Sequence, residues 1–261
     1  MTPSDLAFRF HAAQTIAREC GALMRRRFHD RGSMAFKFKG HQDYITEVDG
    51  QVEEIVRQRL AALFPGDGII GEEGGGAPTP SVWVIDPIDG TANFARGVPH
   101  FCISIAFVHA NEATIGVIYD PVRDELFTAL RGAGAWLNYT PMQVSTTATM
   151  QTARVEVGGN LRKGAEGFLA MIDRVTATGA SIMHGASGAL GVAYIAAGRV
   201  DGYCETHMHP WDVLAALVMV REAGGVTNDY LAGDGLTKGN PVLACNPHLL
   251  QPMLAASRVK L

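Results

Sequence analysis

The chain has 261 residues, of which 47% are hydrophobic and 18% are charged, a composition typical of a globular protein. Its formal net charge of −4 gives no general attraction to nucleic acid or to an anionic membrane. No apolar run approaches the roughly 20 residues that span a bilayer, and the first residues lack the features of a secretory signal. The four cysteines are far apart in sequence and form no C-x-x-C pair, which favours free thiols. Together these features predict a cytoplasmic protein without a membrane or direct nucleic-acid partner.

Two amphipathic helices are predicted before the first buried strand. Apolar residues recur at helical spacing over residues 4–28 and again over residues 52–63. Asp49 is the predicted N-cap of the second helix. Asp43 and Thr46 lie in the polar loop between the helices and form the pattern D-x-x-T, which taken alone is compatible with an ordinary surface loop.

The central stretch of the chain is W-V-I-D-P-I-D-G-T-A-N-F, residues 83–94. The apolar residues before Asp86 have no polar alternation, as in a strand that is buried on both faces. Asp89 follows three positions later, and on a straight strand the two side chains would point to opposite faces. Pro87 and Gly90 predict that the chain turns here, so that both carboxylates converge.

Two converging carboxylates repel each other, and one would hold its proton unless a cation lies between them. A hard divalent cation such as Mg²⁺ prefers oxygen ligands and commonly shares itself with substrate phosphates. Gly90 allows the backbone to approach an anion closely, and Thr91 offers an N–H and a hydroxyl at a predicted helix start. The fragment D-P-x-D alone leaves an alternative open, an Asp-Pro turn followed by a capped helix.

The rest of the chain predicts alternating strands and helices, with short turns that favour antiparallel pairing after the central stretch. The predicted strands are residues 101–108, 114–119, 125–129, 151–158, 181–183 and 201–205. The predicted helices are one from about residue 164, residues 189–197, residues 212–223, and a last helix opened by Asn246-Pro247.

Further acidic residues lie where predicted elements begin or end. Glu72 and Glu73 follow a short apolar strand, Asp212 opens a helix after Trp211, and Glu205 ends a strand. Each has an ordinary structural explanation when taken alone: a surface acid, a helix cap or a solvated strand end.

The motifs occur together in an order and spacing similar to those of the inositol monophosphatase family. Members of this family are Mg²⁺-dependent, lithium-sensitive phosphatases that hydrolyse small phosphate monoesters. The resemblance covers about residues 39–225 and rests on D-x-x-T, G-E-E, D-P-I-D-G-T-x-N-F, and W-D followed by E-A-G-G. It implies an α+β fold built as a layered αβαβα sandwich. It also implies an N-terminal metal-binding lobe of about residues 1–145, a C-terminal α/β lobe of about residues 150–261, and a homodimer.

The resemblance also implies a metal site. The implied ligands of two Mg²⁺ ions are Glu72, Asp86, the backbone carbonyl of Ile88, Asp89 and Asp212. The implied neighbours of these ligands are Glu73 and Thr46. A third, weaker ion is implied near Glu72, and lithium would displace the second ion, which Asp86, Asp89 and Asp212 would hold.

The implied reaction is in-line hydrolysis by a metal-activated water without a phosphoenzyme. Thr91, hydrogen-bonded to Asp43, would orient the water, while the N–H groups of Gly90 and Thr91 would hold phosphate oxygens. The implied catalytic residues are Asp43, Glu72, Asp89 and Thr91. The implied contacts to the substrate are Gly90, Thr91, Ser187, Glu205 and Asp212.

Two departures from the family concern the alcohol half of the substrate. The family commonly carries G-[ST]-A-A after an arginine, whereas residues 183–189 here read M-H-G-A-S-G-A, and Ala92 stands where a second threonine is frequent. The leading substrate is myo-inositol monophosphate. The alternatives are histidinol phosphate, fructose 1,6-bisphosphate and 3′-phosphoadenosine 5′-phosphate. A different class of function is a regulatory binding protein of a transcription complex, a role that some bacterial relatives have.

Overall fold

A computed structural model describes residues 1–30, 36–41, 43–159 and 164–261. The helices are α1 (Pro3–His29), α2 (Glu47–Leu63), α3 (Thr91–Arg96), α4 (Glu166–Ala177), α5 (Gly188–Ala196), α6 (Pro210–Glu222), α7 (Gly235–Lys238) and α8 (Leu250–Ser257). The strands are β1 (Phe36–Gly40), β2 (Asp43–Thr46), β3 (Gly68–Gly71), β4 (Ser81–Asp89), β5 (Cys102–His109), β6 (Glu112–Asp120), β7 (Glu125–Leu130), β8 (Gly134–Leu137), β9 (Thr140–Pro141), β10 (Arg154–Val157), β11 (Ser181–Met183), β12 (Gly202–Met208), β13 (Val226–Thr227) and β14 (Asn240–Cys245).

The larger sheet has seven strands in the order β3-β4-β5-β6-β7-β8-β9. Strands β3 and β4 are parallel, and the pairs from β4 to β9 are antiparallel, as the short turns predict. On β4, Trp83 and Ile85 pack with α1 and α2, whereas Val82 and Val84 pack with α5 and α6. Since both faces of β4 are buried, its sequence has no polar alternation.

The smaller sheet has five strands in the order β11-β10-β12-β14-β13. Strand β10 is parallel to β11 and β12, while β14 is antiparallel to β12 and β13. On one face, Tyr203 and Val242 join the core around α5 and α6. On the other face, Val155 and Leu243 pack with α4 and α8.

The layers are therefore α1 and α2, the seven-stranded sheet, α5 and α6, the five-stranded sheet, and α4 and α8. This arrangement confirms the predicted α+β fold and the αβαβα sandwich. The middle helices belong to the second half of the chain, yet α6 contacts strands β4 to β8 of the first half. The predicted division into lobes at about residues 145–150 falls between β9 and β10 and stays a prediction.

The start of α2 corrects one sequence prediction. Its N-cap is Thr46, not Asp49, because Thr46 Oγ1 accepts the N–H of Val48. Asp49 is the third helical residue, and its carboxylate accepts the N–H of Thr46 at 2.8 Å. These two residues form a capping box, which fixes the Asp49 side chain at the helix start.

Across the part of the chain that the structure describes, no helix combines the length and apolar character needed to cross a bilayer. The four cysteines are free and buried.

Candidate active site

Asp86 and Asp89 converge through an irregularity in β4. The strand does not turn after Asp86 as predicted; it continues to Asp89 with a register shift against β5. Asp86 lies opposite Ser104 and Asp89 opposite Cys102, so β4 carries one residue more than its partner over this interval. Such a bulge bends the strand and changes which face a side chain occupies. Pro87 has no N–H for the ladder and is tolerated at this position.

Asp212 brings a third carboxylate to this point. It is the third residue of α6 and accepts the N–H of His209 at 3.1 Å in a second capping box. One carboxylate oxygen from each of Asp86, Asp89 and Asp212 lies within 4.8 Å of the others. The structure thus joins three of the predicted metal ligands in one cluster.

The three carboxylates are electrostatically unfavourable without a cation. Burial raises the pKa of Asp86 well above its usual value, and repulsion from Glu72, Asp89 and Asp212 raises it further. Burial also raises the pKa of Asp89 to about 6, although hydrogen bonds from Ser187 oppose the shift. A divalent cation would remove the repulsion, and the all-oxygen donor set is the one that hard cations such as Mg²⁺ prefer. The residues present therefore fit this group of ions.

Glu72 and Glu73 lie beside the cluster, and both contact the ammonium group of Lys39. Lys39 Nζ lies 3.0 Å from Glu72 Oε1 and 2.7 Å from Glu73 Oε1. Glu72 lines the same cleft as the three aspartates, but it is not part of their tight cluster. Its role as a metal ligand stays a prediction.

Glu53 of α2 holds the loop that carries Glu72 and Glu73. Its carboxylate accepts the N–H of Glu73 at 2.8 Å and that of Gly74 at 2.7 Å. The sequence reasoning missed this buried acid because it lies on a helix 20 residues before the loop that it binds.

Thr91 begins α3 after Gly90, whose φ of +89° places the backbone in the left-handed region. Thr91 Oγ1 lies 2.8 Å from the carbonyl oxygen of Ile88 and 3.3 Å from Asp49 Oδ1. The predicted pairing of Thr91 with Asp43 is therefore wrong, and Asp49 is the acidic partner.

The reason for this correction lies in the α2 capping box. The box turns Asp49 into the site, whereas Asp43 begins β2 and lines the cleft at another point. Burial raises the pKa of Asp49 to about 6, which leaves the group mostly ionised at neutral pH. The signal in the sequence is the capping-box pattern T-x-x-D at Thr46, whose threonine is also the last residue of D-x-x-T.

The cleft has a volume of about 400 Å³ and extends from the aspartates to side chains of β10 and β12. Glu205 lines this far part, is 8% exposed, and accepts the hydroxyl of Tyr203 at 2.6 Å. Ser187 lies between the two parts, and its hydroxyl donates to Asp89 Oδ2. The Ser187 hydroxyl thus contacts a predicted metal ligand, while its predicted contact with substrate stays a prediction.

The far part of the cleft contains two residues that the sequence reasoning did not single out. Tyr203 and Glu156 are register partners on β12 and β10 and line the cleft together with Glu205. Burial raises the pKa of both Glu156 and Glu205 to about 7. Glu156 lies between two valines in a predicted strand, and nothing in that local pattern indicates a site.

The sequence matches a model of the inositol monophosphatase family over residues 5–261. The chain belongs to the inositol monophosphatase family. Among its relatives, Nus factor SuhB of Xylella fastidiosa is 39% identical over 221 residues, which cover 84% of this chain and 80% of that protein. Inositol-1-monophosphatase of Rhizobium meliloti is 34% identical over 249 residues, which cover 94% of this chain and 91% of that protein.

Solved structures of the inositol monophosphatase family have the same fold. The crystal structure of extragenic suppressor protein suhB from Bartonella henselae has a TM-score of 0.88 and 31% sequence identity, with 96% of this chain and 98% of that chain covered. Family membership supports a phosphatase activity, and the acidic cluster is a place where such an enzyme can hold metal.

Proposed function

We propose that the chain is a Mg²⁺-dependent phosphatase of small phosphate monoesters, with myo-inositol monophosphate as the leading substrate. The observation that carries the proposal is the cluster of buried Asp86 and Asp89 with half-buried Asp212, in which one carboxylate oxygen of each lies within 4.8 Å of the others. Among the residues that the structure describes, no lysine or arginine lines the cleft, so these three acids are costly unless ions bind there.

The residues that would hold Mg²⁺ are Asp86, Asp89 and Asp212, with Glu72 and the Ile88 carbonyl completing two sites. When bound, Mg²⁺ supplies positive charge that acidifies water and neutralises the phosphate and the leaving oxygen. Lys39 already contacts Glu72 Oε1, so an ion would bind Glu72 through Oε2 or displace the ammonium from Oε1. A third ion and inhibition by lithium belong to the same proposal.

Thr91 and Asp49 would orient the attacking water. The single proton of the Thr91 hydroxyl goes to Ile88 O or to Asp49 Oδ1, its two acceptors. The lone pairs of Oγ1 then remain available to accept a hydrogen bond from water. Because Asp49 is buried and fixed by the start of α2, the position of this acceptor is set before substrate binds.

Gly90 and Thr91 would hold the phosphate. They stand at the N-terminus of α3, where the first N–H groups have no acceptor within the helix. A Cβ on Gly90 would lie 3.0 Å from the carbonyl oxygen of His100 and would disfavour the φ of +89°, so a side chain here would shift these N–H groups. Oriented N–H groups stabilise charge on phosphate oxygens without reorganising during the reaction.

Glu205 would bind hydroxyl groups of the alcohol. Its Oε2 is held by Tyr203, and the carboxyl lines the far part of the cleft. A polyol offers several donors to such an acceptor, which favours inositol monophosphate. Histidinol phosphate, fructose 1,6-bisphosphate and 3′-phosphoadenosine 5′-phosphate remain the alternatives within the enzyme class.

Phosphate release by the purified chain tests the proposal. The panel contains inositol 1-phosphate, the three alternatives and glycerol 2-phosphate, each with Mg²⁺, with a chelator, and with Mg²⁺ plus lithium. We expect Mg²⁺-dependent, lithium-sensitive release with the highest kcat/KM for inositol 1-phosphate. Preference for another substrate would keep the metal chemistry and change the alcohol, whereas no release from any of them would contradict the phosphatase itself.

The second candidate is a regulatory binding role in a transcription complex, and the relatives named Nus factor SuhB favour it. Binding to purified transcription complexes, compared between the wild type and Asp89→Asn, tests this role. Binding that survives the loss of turnover would make the two functions separable.

The proposed homodimer and cytoplasmic location are tested by light scattering and by cell fractionation.

A further inference from the structure

Glu156 is a buried acid that the proposed reaction does not use. It lies on β10, is 1% exposed and lines the cleft. Its Oε2 has no hydrogen-bond partner among the described residues. A carboxyl in such surroundings is unfavourable unless it makes an interaction that an apolar side chain cannot make.

The place of this carboxyl is fixed by close packing against two glycines. A Cβ on Gly191 of α5 would lie 2.7 Å from Glu156 Oε2, and one on Gly185 would lie 3.1 Å from Glu156 Oε1. Real Cβ atoms essentially never lie under 3.0 Å from another heavy atom, so the Glu156 side chain fills space that the α5 glycine leaves open. The carboxyl therefore has little freedom to take another orientation.

The defined partner of Glu156 is the backbone of Gly185, whose N–H donates to Oε1 at 2.9 Å. The carbonyl oxygen of Gly185 accepts a hydrogen bond from Asn93 Nδ2, also at 2.9 Å. Both the N–H and the carbonyl oxygen of Gly185 are thus hydrogen-bonded to side chains. The next residue, Ala186, has a φ of +57°, a left-handed conformation that is unfavourable for a non-glycine residue and needs support from its surroundings.

The segment held by Glu156 ends on a predicted metal ligand. Ser187 Oγ donates to Asp89 Oδ2, and the N–H of Ala189 donates to the same oxygen at 2.9 Å. These bonds fix one oxygen of Asp89 and determine how the carboxylate faces the cluster. Only Ala186 separates Gly185 from Ser187, so a shift at Gly185 would reach Asp89 directly.

We propose that Glu156 is a positioning residue. By holding the Gly185 N–H, it keeps Ser187 and the first turn of α5 on Asp89, and it thereby sets the affinity of the site for its cations. The proposal rests on the proposed function in that Asp89 is taken as a metal ligand. It adds a residue that neither contacts the metal nor touches the substrate phosphate.

Two substitutions separate the hydrogen bond of Glu156 from its charge. Glu156→Gln keeps an acceptor oxygen at the same distance from Gly185 and removes the charge. Glu156→Asp keeps a carboxylate and withdraws it by one methylene from the Gly185 N–H. Both are small changes, and near-ultraviolet circular dichroism checks that each variant is folded.

A matched control comes from another acid that binds backbone N–H groups. Glu222 accepts the N–H of Gly132 and that of Gly134, both at 2.9 Å, away from the cleft. Glu222→Asp makes the same chemical change in a similar contact. It should leave the affinity for cations as in the wild type.

The readout is Mg²⁺ binding by titration calorimetry, with Mn²⁺ as a second probe, in the absence of substrate. We expect Glu156→Asp to weaken cation binding by about tenfold, because partners that orient metal ligands typically contribute this much. Glu156→Gln should remain within about threefold of the wild type by the same reasoning. In kinetics, Glu156→Asp should raise the Mg²⁺ concentration needed for half-maximal rate, with KM for substrate unchanged at saturating Mg²⁺.

Other outcomes overturn the proposal. Wild-type affinity in Glu156→Asp would mean that the contact with Gly185 does not position Asp89. Weakened binding in Glu156→Gln would mean that charge, not the hydrogen bond, is responsible. Because cation binding is measured without turnover, absence of phosphatase activity would contradict the proposed function and leave this result standing on its own.

Discussion

Thr91 Oγ1 lies 3.3 Å from Asp49 Oδ1, which connects the start of α3 to the start of α2 across the floor of the cleft. The other carboxylate oxygen of Asp49 accepts the N–H of Thr46, so one acid serves both a helix cap and a candidate catalytic hydroxyl. The two functions are coupled, because the contacts that fix the start of α2 also fix the acceptor oxygen that faces the Thr91 hydroxyl.

Asp49→Asn should lower kcat by about a hundredfold, in the range that a positioned proton-transfer group contributes, with a smaller effect on KM. An asparagine has only one acceptor oxygen, so it cannot accept from both Thr46 and Thr91, and its amide N–H would face one of these donors. Steady-state phosphate release at saturating Mg²⁺ measures the effect.

The comparison variant for this prediction is Asp43→Asn. Asp43 also lines the cleft, so some loss is expected, but less than in Asp49→Asn. The opposite order of the two variants would restore the pairing that the sequence suggested.

The fold could be predicted largely because its signals are local. The apolar run before Asp86 identifies a strand buried on both faces, and the antiparallel pairs β5 to β7 follow from short turns. The convergence of Asp86 and Asp89 was predicted correctly but for the wrong reason, since a bulge depends on the partner strand β5, which the local sequence does not contain.

The parts of the site that the sequence did not reveal depend on contacts between distant elements. Thr91 and Asp49 are 42 positions apart, and Lys39 reaches Glu72 over 33 positions. No local pattern records such contacts. Glu156 has the least local signal of all, because its surroundings are made by glycines of another segment.

Asp89→Asn should lower kcat by about a thousandfold while the fold is retained. The variant removes one charge from the metal cluster, whereas the amide oxygen can still accept from Ser187 and Ala189. In the metal-free protein the melting temperature should not fall, because one repelling carboxylate is removed.

Asp234→Asn is the control for the loss of an acidic charge. Asp234 is exposed and pairs with Lys238 at 2.8 Å, outside the cleft. It should keep wild-type turnover. Near-normal activity in Asp89→Asn would remove this residue from the ligand set.

In metal-free buffer, the free energy of unfolding of Glu156→Gln minus that of the wild type should increase as the pH rises from about 4.5 to about 7. Burial raises the folded pKa of Glu156 to about 7 from a usual value of 4.5, so the folded state binds more protons than the unfolded state within this window. The favourable contribution of the protonated acid is present below the window and is lost as the pH rises through it.

For Glu156 this loss amounts to about 3 kcal/mol, and glutamine does not titrate, so the difference in unfolding free energy should change by about that amount. Urea unfolding at both ends of the window measures it. Glu205→Gln should behave in the same way, since burial raises its pKa to about 7 as well. A difference between variant and wild type that is independent of pH would mean that Glu156 is not held with a raised pKa.

Tyr203→Phe should raise KM for a polyol phosphate by about tenfold with less effect on kcat, the size expected for one hydrogen bond to a charged group. Tyr203 Oη donates to Glu205 Oε2 at 2.6 Å in buried surroundings, and this bond orients the acceptor for substrate hydroxyls. Tyr119→Phe removes a hydroxyl that bonds Asp124 outside the cleft and should leave KM unchanged.

Inhibition by inorganic phosphate distinguishes an effect at the metal end of the cleft from one at the alcohol end, because phosphate reaches the aspartates but not Glu205. The inhibition constant of phosphate should be the same in Tyr203→Phe as in the wild type. If phosphate and substrate instead bound equally more weakly, Tyr203 would act on the metal end of the cleft and not on recognition of the alcohol.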